Sequence, residues 1–72
     1  MTLEPFARLE ALSHLNLKNC IGFRGSLGPL RGLGTLQALN LAGCVGLDGG
    51  LEPLSGLRSL TILDLEACLG LE

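Results

Sequence analysis

Three cysteines and one histidine are the residues of this 72-residue chain best suited to chemistry, and their spacing argues against it. Cys20, Cys44 and Cys68 stand 24 residues apart. A zinc site draws four ligands into a tetrahedron, usually from closely spaced Cys-x-x-Cys pairs, and no such pair occurs. His14 lies six residues before Cys20, across a strand pleat from it once the bend near Asn19 interrupts the even count. A thiolate nucleophile needs its base within hydrogen-bond reach, which this placement does not supply. The glycine-rich stretch 46–50 lacks the lysine and the following helix of a phosphate cradle. The expectation is therefore no catalytic residue, no metal and no cofactor.

The equal spacing points to architecture instead. Residues 36–44 read LQALNLAGC, and the pattern Leu-x-x-Leu-x-Leu-x-x-Cys recurs as LSHLNLKNC at 12–20 and LTILDLEAC at 60–68. Self-similarity at a fixed period of this length marks a solenoid, whose units bury their apolar faces only against one another. The repeats run about 3–26, 27–50 and 51–72. Equivalent cysteines in adjacent strands would stand roughly 4.8 Å apart with parallel side chains. A disulfide wants Cβ atoms about 3.5–4.5 Å apart and turned toward each other. The three thiols are expected to form a buried ladder of small hydrophobes, which suits a reducing, intracellular compartment.

Composition narrows the partners. Five Lys plus Arg against seven Asp plus Glu give a net charge of −2, without the basic stripe that a nucleic-acid backbone requires. No apolar run reaches the roughly 18 residues of a membrane span. The opening MTLEPFARLE has no basic start leading into an apolar stretch, so it does not read as a signal peptide.

Within each repeat the apolar step changes. Leu27, Leu30, Leu33, Leu36 and Leu39 follow at threes, which a 3₁₀ or brief α-turn keeps on one face and a long α-helix does not. Pro5, Pro29 and Pro53 suit the first turn of such segments, and glycines 32, 34 and 56 oppose a longer helix. The step then shortens to two at Leu15–Leu17, Leu39–Leu41 and Leu63–Leu65, predicting three short parallel strands. After each cysteine a second extended piece is expected, bending at Gly25 and Gly49.

The repeat resembles the leucine-rich repeat, and its 24-residue period is most similar to the plant-type class, in the form L-x-x-L-x-L-x-x-(N/C)…L-x-G-x-L. Cysteine fills the family's usual asparagine slot, and proline falls one place later than in the plant-type Ile-Pro pair, as Leu27-Gly28-Pro29 and Leu51-Glu52-Pro53. The resemblance implies an α/β solenoid. Its right-handed coil carries a short parallel β-ladder on the concave face and 3₁₀ or short helical turns outside. It implies a non-catalytic module that binds a protein or peptide through the outward strand positions. These are His14, Asn16 and Lys18, then Ala38, Asn40 and Ala42, then Ile62, Asp64 and Glu66. Asn16, Asn40 and Asp64 share a column that either contacts a ligand or ladders hydrogen bonds between neighbours. The alternative function is a purely structural internal segment of a larger protein whose ligand contacts lie elsewhere.

Three strands make a face on the order of 170 Å² in projection, against about 800 Å² from each partner of a standard interface. The chain is also expected to be an uncapped part of a longer array, with Leu3, Leu9, Leu12 and Leu15 bare at one end and Leu57, Leu60, Leu63 and Leu65 at the other. Open edges of this kind predict head-to-tail self-association.

Overall fold

The computed structural model describes residues 1–72. Strands β1 (His14–Asn16), β2 (Ala38–Asn40) and β3 (Ile62–Asp64) form one parallel sheet in the order β1-β2-β3. Leu15 pairs with Leu39 and Leu39 with Leu63, so both junctions hold the 24-residue register of the sequence. A slip of one residue would turn the strand leucines out of the core, which pins that register. The backbone ladder runs on past the strands. Leu17 N–H donates to Asn40 O at 2.8 Å, and Leu41 N–H donates to Asp64 O at 2.9 Å.

The helical content is 3₁₀ only, at Glu4–Phe6, Gly28–Leu30 and Glu52–Leu54, each with proline in its first turn. No α-helix forms, and of the two turn types expected after each proline the chain adopts the 3₁₀ form. The reason is visible in the hydrogen bonds. Leu30 N–H donates to Leu27 O, Leu33 N–H to Leu30 O and Leu36 N–H to Leu33 O, at 2.9–3.1 Å. Every third residue closes a tight turn on the one before it, so the four-residue bonds of an α-helix never start.

The expected second extended piece shrinks to single parallel bridges, Gly25 to Leu47 and Gly49 to Leu71. Gly25 and Gly49 sit at φ +90° and +86°, a turn that ends pairing after one residue.

The core is the line of inward leucines, driest in the middle unit, where Leu27, Leu30, Leu33, Leu36, Leu41 and Cys44 are fully buried. The ends are less bare than expected. Leu9 and Leu63 are exposed and Leu12, Leu60 and Leu65 half-buried, but Leu3, Leu15 and Leu57 are buried. The units interlock obliquely, so a residue facing the neighbour its unit does have stays covered even in an end unit. Phe6 and Phe23 fill the first unit, their rings 5.9 Å apart. No helix is long and apolar enough to cross a membrane.

Candidate functional site

The pleat sends Leu15 and Leu39 inward and turns their strand neighbours to the other side. There they line a hollow of about 360 Å³, walled by His14, Asn16, Ala38, Asn40, Ile62 and Asp64, with the backbone of Leu15 and Leu39 at its base. Directly beside it a smaller hollow of about 140 Å³ is lined by Lys18, Ala42, Asp64 and Glu66 with Asn19, Gly43 and Ala67. All nine strand-face residues named from the sequence thus lie along one surface, with Asp64 common to both hollows. Ala42 departs from expectation because it is buried and serves as floor. It sits in the middle unit, with neighbouring units on both sides.

The asparagine column is built differently from a ladder. Asn16 Oδ1 accepts the Lys18 N–H, Asn40 Oδ1 that of Ala42 and Asp64 Oδ1 that of Glu66, each at 3.0 Å. These bonds close a turn inside each unit and none crosses between units, which corrects the ladder reading. The turn lets the chain leave the strand toward the next bend, where Asn19, Gly43 and Ala67 have φ +63°, +78° and +60°. The Asn16 and Asn40 side-chain N–H groups have no hydrogen-bond partner within the chain, and both residues line the larger hollow.

Charge is divided along the surface. His14 and Lys18 lie on the first unit, and Asp64 and Glu66 lie on the third. Ser13 Oγ stands 2.8 Å from His14 Nδ1, an adjacency the leucine pattern gave no reason to suspect. That bond fixes the imidazole, yet no carboxylate orients the ring as a hydrolytic triad requires. No group of His, Cys, Asp or Glu is arranged to hold a metal.

The cysteines form the expected column of free thiols, with Cys44 and Cys68 buried and Cys20 half-buried. Their hydrogen bonds reach across units. Cys44 S–H donates to Leu17 O at 3.0 Å and Cys68 S–H to Leu41 O at 2.8 Å. The Cys20 sulfur lies 3.9 Å from Lys18 O in its own unit. Burial raises the Cys44 pKa above its ordinary 9.0, opposed in part by a backbone hydrogen bond from Cys20 and aided by its two fellow thiols. Sequence reasoning also missed Thr35, whose Oγ1 donates to Glu10 O and Leu12 O at 2.7 and 3.0 Å and ties the second unit to the first.

On the outer side, Arg31 Nη2 and Glu52 Oε1 pair at 3.5 Å beside Pro53 and Ser55. Both partners are well exposed, so the pair contributes little to stability. No protein-family model matches the chain, and no curated protein or solved structure matches it.

Proposed function

We propose that the chain is a right-handed stack of three leucine-rich repeats. In this reading its hollow strand face binds an extended segment of another protein and catalyses nothing. The single observation that carries the reading is the larger hollow. There the apolar side chains of Ala38 and Ile62 stand beside the side-chain amides of Asn16 and Asn40. Recognition pockets combine apolar surface with a few orienting polar groups in this way. The unbroken 24-residue register and the thiol bonds between units support the repeat assignment. The charge division adds an orientation. A peptide crossing the strands would place acidic side chains over His14 and Lys18 and basic ones over Asp64 and Glu66.

A second reading, a structural segment whose parent protein binds elsewhere, draws on the asparagine column. Each of its three members already gives one oxygen to its own backbone. Peptides selected from a displayed library against the immobilised chain separate the two. Under the binding reading, Ala38→Arg and Ile62→Asp abolish capture of the selected peptides, while Arg31→Ala on the outer side leaves it intact. Equal capture by all three variants would refute a role for the face.

A further inference from the structure

One exposed column is large and apolar in every unit. Ile21, Val45 and Leu69 directly follow the three cysteines and are 69%, 53% and 86% exposed. The other exposed leucines, Leu9, Leu51 and Leu63, belong to columns that are buried elsewhere, whereas Val45 is bare with a unit on either side of it. The turns that carry the three side chains abut. Asn19 N–H donates to Ala42 O and Gly43 N–H to Glu66 O, and Gly46 and Gly70 sit so close to Phe23 O and Leu47 O that a Cβ would collide. The three side chains therefore stand in one line, at roughly the 4.8 Å spacing of stacked strands. Short residues flank that line, Asn19, Gly43 and Ala67 before it and Gly22, Gly46 and Gly70 after it, so nothing bulky screens it. Single exposed apolar residues are ordinary, but a contiguous row of them marks a contact surface.

Charge says what covers the ridge. Beyond the short residues lie two further columns, Lys18, Ala42 and Glu66 on the strand side and Arg24, Asp48 and Glu72 on the far side. The chain's one ion pair joins Arg31 to Glu52, so none of these five charges is paired within the molecule. Three are acidic and two basic, which disfavours an anionic membrane or a nucleic acid as the occupant. A second copy related by a two-fold axis satisfies them together. With that axis passing through Val45 along the chain direction, the order of units reverses across the contact. Ile21 then meets Leu69 of the second copy, Val45 meets its own equivalent, Lys18 meets Glu66 and Arg24 meets Glu72. Each off-axis contact occurs twice, giving four opposite-charge pairs against one like pair, Asp48 on its own equivalent. A two-fold axis along the stack would instead set Lys18 on Arg24 and Glu66 on Glu72, like on like.

We infer that two copies of this chain pair side by side and antiparallel through the ridge of Ile21, Val45 and Leu69, with Lys18–Glu66 and Arg24–Glu72 pairs along its rims. The contact is isologous and closes at two. Three units at about 4.8 Å, and six residue steps of at most about 3.3 Å from Lys18 to Arg24, bound it at on the order of 300 Å² per copy. That is well under the roughly 800 Å² of a standard interface, so the dimer is weak and exchanges freely. It takes up the rim of the smaller hollow and leaves the larger one open. It therefore stands whether or not the larger hollow binds a peptide.

Val45 supplies the test, because a substitution there meets itself across the axis. Sedimentation velocity up to millimolar concentration should show the unaltered chain approaching twice its own mass and stopping there. Val45→Asp lies at an exposed site and should leave the urea midpoint unchanged. It should weaken dimerisation by at least about tenfold, since like charges then face each other. Lys18→Glu and Glu66→Lys should each weaken it about three- to tenfold, the scale of exposed ion pairs turned repulsive twice over. An equimolar mixture of those two variants should pair as tightly as the unaltered chain, because each supplies the charge the other lacks. In a sample mixed from isotope-labelled and unlabelled chains, a filtered nuclear Overhauser experiment should connect Ile21 methyls of one copy to Leu69 methyls of the other. Monomer at every concentration, growth beyond two, Val45→Asp pairing like the unaltered chain, no recovery in the mixture, or Ile21 meeting Ile21 across the contact would each overturn the inference. So would a monomeric chain that binds phosphatidylcholine vesicles and loses them on Val45→Asp, which would give the ridge to a lipid surface.

Discussion

Truncating the cysteines one at a time reads out the coupling between units, because the same atom is removed from three positions of one column. Cys44→Ala deletes a fully buried sulfur whose thiol bonds to Leu17 O at 3.0 Å. The lost burial and the void it leaves cost about 1 kcal/mol, the scale of one buried methylene. The lost hydrogen bond adds roughly 0.5 kcal/mol, at the low end because Leu17 O still accepts Cys20 N–H. Cys68→Ala breaks an equivalent bond at 2.8 Å, but Cys68 is 7% exposed where Cys44 is fully buried, so its cost should fall below that of Cys44→Ala. Cys20→Ala removes a half-buried sulfur 3.9 Å from its only acceptor and should cost under about 0.5 kcal/mol. With no Trp or Tyr in the chain, far-UV circular dichroism in urea is the suitable probe. Equal costs at the three positions, or the largest cost at Cys20, would refute cross-unit thiol bonding.

Three further outcomes follow from local geometry. Gly46→Ala should destabilise by more than about 2 kcal/mol in urea melts, because its Cβ would meet the Phe23 carbonyl and backbone cannot yield cheaply. Ala67→Gly should stabilise by about 0.5–1 kcal/mol in the same assay, since an exposed alanine at φ +60° is strained where its equivalent Gly43 is not. The Cys44 thiol ionises at higher pH in the folded chain than in the unfolded chain. Its contribution is therefore intact below the ordinary 9.0 and falls as pH rises beyond it, by up to about 1.4 kcal/mol per pH unit. The stability gap between the unaltered chain and Cys44→Ala should narrow over that range, and a constant gap would contradict the shift.

The sequence made the strands and their register legible because leucine alternation and a constant period state the same answer at three places. The 3₁₀ turns were legible for a similar reason, since steps of three together with proline leave little else. What the pattern hid were features carried by polar side chains. Asn16, Asn40 and Asp64 look like a ladder in an alignment of the repeats, and only the backbone path shows each bonding two residues ahead. Ala42 reads as a face residue by its position after Asn40 but is buried in the middle unit. The burial of Leu3, Leu15 and Leu57 was hidden too, because oblique interlocking is a property of neighbouring units and not of any single repeat. Asn19, Gly43 and Ala67 did carry a signal, two residues tolerant of positive φ in one column, and it went unused.

The claim that the hollow is the binding surface is tested most directly by nuclear magnetic resonance. A selected peptide is titrated into the isotope-labelled chain. The account predicts that amide shifts concentrate on His14–Asn16, Ala38–Asn40 and Ile62–Asp64. Shifts concentrated instead on the outer turns Glu4–Phe6, Gly28–Leu30 and Glu52–Leu54 would contradict it.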